Sequence, residues 1–444
     1  MSSKKENFYK YLPHLIALSS LILSLVYSLT IRSPLNVDAK AHQRIAINLA
    51  EGNGYWEQIP PNKEFDRAIG RSGPLLEFWI AGVYKVFGVH IYLIWIIQAL
   101  LHAATVFLIY RITQTLFDKI KSRIPAAGAA IIYGWYPDLI ESTSMLMTEI
   151  SFLFLLVLSV FLFLRYHQKK NISWLIFFSI SFGLAYLARS AVSFAYLAFL
   201  GYFISQKRWK HLALSLVIVL VVLTPWIIRN YQTFGAFIPS RIYGFYTLYV
   251  GNHHGASGEN EIEKLTDAKE LELEKGVFAL DNYAKGQYIS FIKKYPGEYL
   301  LLHFKRLSIF WSFIRPTGFW PYLDYPTRIL THISSGIFSV ITFVLGLTGL
   351  VYALSRKRDL KIVVLAGITA LTMLPYILSV VETRYRYGVY PLLALFAGFA
   401  VYGLLKERTK LWNKIFLGVS LVLITNTILD LYLNWGRFLE KIGS

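Results

Sequence analysis

Two acidic side chains stand where the sequence could place a catalytic carboxylate. Asp38 follows the apolar stretch Tyr11–Thr30 by eight residues, within the segment VDAKAH. It could act as a general base that takes the proton of an attacking hydroxyl group, or it could only cap a helix N-terminus. His42 lies one helical turn later on the same face, so we include it as a candidate residue of the substrate cavity.

Glu149 is the second candidate, because it lies just inside the otherwise apolar segment Met145–Leu164. A carboxylate in such a segment is costly unless it faces protein or a water-filled cavity. The alternative is a hydrogen-bonded glutamate at the membrane interface. Asp138 and Glu141 precede this segment, and we expect them to be solvated loop residues.

Several arginines stand at the ends of apolar segments. The candidates are Arg71, Arg189, Arg229, Arg384 and Arg386. Guanidinium groups bind phosphate oxygens through paired hydrogen bonds and keep their charge in an environment of low dielectric constant. As a group they predict an anion site, although any single one could instead extend from the interface towards water.

A metal site is not expected. The nearest approach to a ligand cluster is His253 and His254 in the loop GNHHG, which a flexible loop explains equally well; His253 remains a possible cavity residue. Cysteine is absent, so a thiolate nucleophile and a disulfide are both excluded.

The composition indicates that these residues are held by an integral membrane protein. Of the 444 residues, 55% are apolar and only 16% charged, and the mean hydropathy is +0.47. Lys and Arg number 45 against 26 Asp and Glu, a net charge of +19. The basic residues form short clusters between apolar segments, which is typical of membrane topology rather than of nucleic-acid binding.

Apolar segments of suitable length and composition predict an all-α protein with about eleven transmembrane helices. They are Tyr11–Thr30, Ile91–Leu116, Ile124–Tyr136, Met145–Leu164, Trp174–Ala188, Ala191–Ser205, Leu212–Ile228, Ile329–Leu354, Ile362–Val381, Gly388–Leu405 and Ile415–Leu433. We interpret the first as an uncleaved span. Amphipathic stretches at Asp38–Glu51 and Pro74–Phe87 predict interfacial helices in the first outer loop.

The positive-inside rule places the basic clusters and the N-terminus in the cytoplasm. All the candidate residues then share the outer face of the plasma membrane. We divide the chain into an N-terminal transmembrane region, 1–229, with a catalytic first outer loop at 32–90. An extracytoplasmic cap, 230–328, and the C-terminal helices, 329–444, follow.

Six segments in this order resemble the membrane-embedded glycosyltransferases of the C superfamily. The similarity is to bacterial relatives of the protein O-mannosyltransferases and of the lipid A aminoarabinose transferase. The segments are VDAKAHQRIAINLAEGNGY from Val37, RSGPLLEFWIAGVYKVFG from Arg71, YPDLIESTSMLMTE from Tyr136, TPWIIRNYQTFGAFIPS from Thr224, LYVGNHHGASG from Leu248 and ETRYRYGVYPLLALFAG from Glu382.

The resemblance implies a sugar donor carried on a polyprenyl phosphate, transfer on the outer face and inversion at the anomeric carbon. It implies that Asp38 is the base and Glu149 the second acidic residue. Arg71, Arg229 and Arg384 would hold the lipid phosphate. No cofactor is implied, and the acceptor could be a glycan, a lipid or a protein.

Two other classes remain open. A polysaccharide polymerase or ligase would share the number of spans and the outer site. A transporter or flippase for lipid-linked sugars would be expected to show inverted repeats, with charged residues near the middle of the membrane. A base within ten residues of the first span favours the glycosyltransferase.

Overall fold

The computed structural model describes residues 2–35, 37–58, 73–241, 243–260, 265–314, 325–356 and 359–436. In these ranges the chain is helical and contains no β-strand, only one isolated bridge between Glu259 and Val381. The predicted all-α polytopic membrane class is confirmed. The helices are α1 Ser2–Ile31, α2 Val37–Ala50, α3 Leu75–Phe87, α4 Ile91–Leu116, α5 Ile124–Gly134, α6 Pro137–Ser142, α7 Glu149–Lys169, α8 Ile172–Ala188, α9 Ser193–Ser205, α10 Trp209–Phe234, α11 Gly244–Gly251, α12 Thr266–Lys294, α13 Pro296–Trp311, α14 Tyr325–Val340, α15 Gly346–Arg356, α16 Leu360–Leu378, α17 Tyr390–Lys406 and α18 Lys410–Leu433.

Eight helical stretches in the described part are long and apolar enough to cross a membrane. They are Lys10–Ile31, Ile91–Leu116, Glu149–Lys169, Trp209–Phe234, Ile329–Arg356, Leu360–Leu378, Thr383–Lys406 and Lys410–Leu433. Three shorter apolar helices, Ile124–Gly134, Ile172–Ala188 and Ser190–Ser205, fall where the sequence predicts further spans. The count of eleven treats all of these as spans and stays a prediction, as do the domain boundaries at 229 and 328.

Close contacts between helices hold the middle of the bundle together. Gly398 of α17 lies against α5, and a Cβ atom there would stand 2.0 Å from the Pro125 carbonyl oxygen. Gly349 of α15 approaches the other side of α17, and a Cβ atom added to Gly349 would stand 1.9 Å from the Phe396 carbonyl oxygen. Small residues allow membrane helices to approach this closely. The rigid α17 begins directly after the segment that carries Arg384.

Both helices predicted for the first outer loop form, and their place at the membrane interface stays a prediction. Helix α2 packs on α3 through Ala39 and Ala46, which meet Leu76 and Ile80 in one buried cluster. On the opposite side of α3, Phe78 remains exposed, as expected of a helix at a membrane surface. Helix α2 begins at Val37, so Asp38 stands in its first turn.

The predicted orientation can be tested with two matched glutamines, because the chain contains no cysteine. Gln287 lies exposed on α12, in the predicted outer cap, and Gln168 lies exposed near the end of α7, on the predicted cytoplasmic side. We expect Gln287→Cys in intact cells to react with a membrane-impermeant thiol reagent, and Gln168→Cys to react only after permeabilisation. Labelling of Gln168→Cys in intact cells would reverse the assignment.

Candidate active site

Asp38 is brought together with a residue from the far end of the sequence. Arg384 Nη1 donates to Asp38 Oδ2 at 3.2 Å, across 346 residues of chain. The Nε of the same guanidinium donates to Glu382 Oε2 at 2.7 Å. The Asp38 side chain is 39% exposed, so this carboxylate is both held in place and open to a substrate.

Glu149 forms a second pair beside the first. Arg189 Nη2 donates to Glu149 Oε1 at 3.2 Å. The predicted span began at Met145, but the helix begins at Glu149, because residues after α6 form a turn. Glu149 is therefore at a helix N-terminus, where the helix dipole favours a carboxylate.

Tyr385 joins the two pairs. Its ring lies 5.4 Å from the guanidinium carbon of Arg189 and 5.4 Å from that of Arg384. Tyr376 of α16 stacks on Tyr385, with ring centroids 4.8 Å apart. Cations over aromatic faces are stabilised, so these rings hold both arginines at one end of the helical bundle.

Arg241 also belongs to this site, although it is not among the residues expected from the sequence. It lies among Arg189, Tyr376 and Tyr385, with Asp281 as the nearby acidic group. Its side chain nevertheless remains accessible to solvent. Burial lowers the pKa of Arg241, but an arginine stays charged at neutral pH.

Arg241 differs from its neighbours because it forms no ion pair with a described residue, whereas Arg189 and Arg384 each bind a carboxylate. The positive-inside rule makes basic residues rare on the outer face, and this scarcity singles out Arg241 as much as Arg229. The scarcity of basic residues on the outer face could therefore have identified Arg241 from the sequence. We refer to the set Asp38, Glu149, Glu382, Arg189, Arg241 and Arg384 as the charged cluster.

Arg229 lies in a different setting. Its guanidinium carbon is 5.0 Å from the ring centroid of Trp226 and 5.2 Å from that of Tyr55. Its Nη2 donates to the Tyr55 carbonyl oxygen at 3.0 Å. No described contact joins Arg229 to the charged cluster, and the other predicted phosphate ligand, Arg71, lies outside the described residues. Both roles stay predictions.

The remaining candidates contact other groups of the protein. His42 Nδ1 lies 2.6 Å from Glu77 Oε1 of α3, and both side chains are buried. Arg386 is fully buried and donates to the carbonyl oxygens of Ile309 and Ser312 at 2.8 Å. His253 Nδ1 donates to the carbonyl oxygen of the neighbouring His254 at 3.0 Å. Their predicted places in the substrate cavity stay untested.

The prediction that Asp138 and Glu141 are solvated is wrong. They are only 1% and 2% exposed, because α6 packs between two spans instead of forming an open loop. Neither carboxylate oxygen of Asp138 receives a hydrogen bond within the described part of the chain. Burial raises the pKa of Asp138 to about 6, although Ser335 and the Arg386 cation partly oppose this.

We expect Asp138→Asn to stabilise the protein above pH 6. A folded-state pKa raised from 3.8 to about 6 means that wild-type stability falls as the pH rises through that window, because the folded state must then bury a charge. The gain should be roughly 1–3 kcal/mol at pH 8 and close to zero at pH 4. Thermal unfolding of both proteins across this range checks it, and a difference independent of pH would contradict it.

Within the described residues, no three His, Asp or Glu side chains are placed to share a metal ion. Independence from metal ions stays a prediction for the whole chain, which titration with a chelator would check.

Known proteins resemble this chain in one segment of sequence and in overall fold. Residues 71–228 match the family described as dolichyl-phosphate-mannose-protein mannosyltransferase. No curated protein sequence matches the chain.

Solved structures share its fold at low sequence identity. ArnT from Cupriavidus metallidurans, bound to undecaprenyl phosphate, superposes with a TM-score of 0.55 and 14% identity over 92% of this chain and 62% of its own. The apo oligosaccharyltransferase of Archaeoglobus fulgidus gives 0.52 and 15% over 96% and 56%. The same enzyme tethered to an acceptor peptide with the NVT sequon gives 0.53 and 16% over 96% and 55%.

This chain therefore spans less than two thirds of the length of these neighbours. The similarity nevertheless extends through almost all of its own helices, and the sequence motifs predict the same relationship. This chain shares its overall fold with ArnT and with the archaeal oligosaccharyltransferase.

Proposed function

We propose that this protein transfers a sugar from a polyprenyl-phosphate donor to an acceptor hydroxyl group, with inversion at the anomeric carbon. The observation that carries the proposal is the accessible Asp38 carboxylate held by Arg384, in a cluster with Arg241, which forms no ion pair within the described part of the chain. A base and a phosphate-binding cation close together are what such a transfer needs.

The transfer needs no reactant other than the sugar donor and the acceptor hydroxyl group, with Asp38 as the base. Asp38 takes the proton of the acceptor hydroxyl as its oxygen forms a bond to the anomeric carbon. The bond from that carbon to the phosphate oxygen breaks, and its electron pair leaves with the polyprenyl phosphate. The departing group gains a negative charge, which nearby cations stabilise more strongly in the transition state than in the ground state.

Arg241 and Arg384 are the cations best suited to that charge. Arg241 forms no ion pair with a carboxylate among the described residues, although Asp281 lies near it, and Arg384 already lies against the base. Arg189 is neutralised by Glu149, so we give it an orienting role. Arg71 and Arg229 remain proposed ligands of the phosphate as it approaches from the membrane.

The charged cluster gathers where α2, α7, α16 and the turn after α8 come together, at one end of the bundle. By the distribution of basic residues this end faces outwards. We therefore propose a plasma-membrane enzyme with a cytoplasmic N-terminus and an extracytoplasmic site. A transporter is less well supported, because its substrate site is expected near the middle of the membrane.

The direct test is a strain that lacks this protein. We expect mass spectrometry of its membranes to show a lipid-linked sugar that accumulates, and analysis of its envelope to show a glycan that loses one sugar. The accumulated lipid-linked sugar identifies the donor, and the glycan that has lost a sugar identifies the acceptor. Unchanged lipid-linked sugars and glycans in that strain would contradict the proposal.

A further inference from the structure

A continuous series of hydrogen bonds runs from the loop at residues 251–260 to Asp38. Asn260 Nδ2 donates to Glu382 Oε1 at 2.6 Å. The other oxygen of the same carboxylate, Oε2, accepts from Arg384 Nε at 2.7 Å. Arg384 Nη1 then donates to Asp38 Oδ2 at 3.2 Å.

Glu382 is central to this series because each of its two oxygens binds a different donor. An arginine held at Nε by a fixed carboxylate has its guanidinium plane set, and the direction of Nη1 is set with it. Glu382 also offsets part of the positive charge that Arg384 presents to Asp38. Glu382 therefore controls both the position of the Asp38 carboxylate and the electrostatic field around it.

The 251–260 loop is anchored to the segment that carries Glu382. The Val381 amide donates to the Gly258 carbonyl oxygen at 3.3 Å. Asn252 Nδ2 donates to the Leu378 carbonyl oxygen at 3.1 Å. Gly251 lies so close to α16 that a Cβ atom there would stand 1.9 Å from the Ser379 carbonyl oxygen. The contact between Asn260 and Glu382 is thus made by a fixed loop.

Two buried arginines fasten the same region to the cap. Arg306 of α13 donates to the carbonyl oxygens of Gly251 and Ile377 and to the Asn252 side chain. Arg386 donates to the carbonyl oxygens at the end of α13. Buried carbonyl groups held by charged donors make a rigid junction.

From this geometry we propose that Glu382 and Asn260 are positioning residues, through which the cap sets the orientation and the basicity of Asp38. Neither residue touches the reacting atoms. The inference rests on the proposed function, because it concerns the base of that reaction.

Glu382→Gln is the sharpest variant, because glutamine has one acceptor oxygen for two donors. It also removes a negative charge beside Arg384, whose cation then acts on Asp38 more strongly and makes it a weaker base. We expect the transfer rate at saturating donor to fall about 5- to 20-fold. The acid-side midpoint of the pH–rate profile should move down by about half to one pH unit. The other charged groups near Arg384, which are Glu149 and Arg189, stay unchanged.

The assay uses the full-length protein added to membranes of the strain that lacks it, since these supply the unused donor and the unmodified acceptor. Consumption of the lipid-linked sugar is followed by mass spectrometry at several pH values. Asn260→Ala provides a second variant without a change of charge. We expect it to lower the rate about three- to tenfold with an unmoved midpoint, and Asn260→Ser to restore part of the rate.

Glu407→Gln is the matched control. Its carboxylate likewise binds an arginine, Arg356, through one oxygen and a second donor, Tyr402, through the other. It follows α17, roughly 25 Å along the helix from the site. We expect wild-type transfer from this variant.

Wild-type rate and midpoint in either folded variant, Glu382→Gln or Asn260→Ala, would overturn the inference. So would a loss of rate in Glu382→Gln with an unmoved midpoint, which a merely structural role predicts. If Asp38→Asn is inactive while these variants are normal, only the positioning inference fails. If Asp38→Asn is active, the proposed catalytic function fails first.

Discussion

Replacing Asp38 by asparagine is expected to lower the rate of sugar transfer by ~10²- to 10⁴-fold, the usual contribution of a general base. Asparagine has nearly the same size, and its oxygen can still accept from Arg384, which donates to Asp38 in the wild type. It cannot take the proton of the acceptor hydroxyl. We therefore expect polyprenyl phosphate binding and thermal stability to change little while turnover is lost.

Asp359→Asn is the matched control for that experiment. Asp359 caps α16 by accepting from the Lys361 amide at 3.0 Å, and asparagine caps a helix about as well as aspartate. Its transfer rate should equal that of the wild type. An Asp38→Asn enzyme with more than about a third of wild-type turnover would show that Asp38 has only a structural role in the first turn of α2, since loss of a general base costs far more.

Replacing Arg241 by alanine is expected to weaken the binding of undecaprenyl phosphate about 10- to 100-fold. Hydrogen bonds to charged groups contribute about 1.5–3 kcal/mol, and Arg241 forms no ion pair with a described residue that would compensate for its loss. Removing it breaks no ion pair among the described residues, so folding should be affected little. Arg241→Lys keeps the charge without the paired hydrogen bonds, and its affinity should lie in between.

The measurement is a titration of purified protein in detergent with undecaprenyl phosphate, read by thermal stabilisation. Arg356→Ala serves as the control, because Arg356 pairs with Glu407 in an exposed position away from the charged cluster. If Arg241→Ala and Arg356→Ala bind undecaprenyl phosphate alike, the phosphate site is elsewhere. Arg71 or Arg229 would then be the next residues to change.

Much of the helical fold was predictable, because apolar length alone marks a membrane span. It was also predictable that Asp38, Glu149 and Arg384 lie at the same end of the bundle. The membrane topology assigns each loop to one face of the membrane. The chemistry of the charged side chains then indicates which residues of those loops could form a site. Their common location could be predicted without knowing how far Asp38 lies from Arg384.

The pairings inside the site were not predictable in the same way. Nothing in the sequence joins Asn260 to Glu382, because this contact depends on how the 251–260 loop docks against the end of α16. Arg241 was missed because it lies in a long loop with many other charged residues. Asp138 was misjudged because a six-residue helix can fold back between spans, whereas its sequence is equally typical of a solvated turn.

The most direct test of the central claim identifies the lipid product of the reaction. Wild-type protein and Asp38→Asn are added separately to membranes of the strain that lacks the protein, and the released lipid is identified by mass spectrometry. We predict that the wild-type enzyme releases a polyprenyl monophosphate in step with the sugar gained by the acceptor, and that Asp38→Asn releases almost none. Release of a polyprenyl diphosphate would instead indicate a polymerase or ligase. Equal release by both proteins would contradict the role of Asp38 and the account built on it.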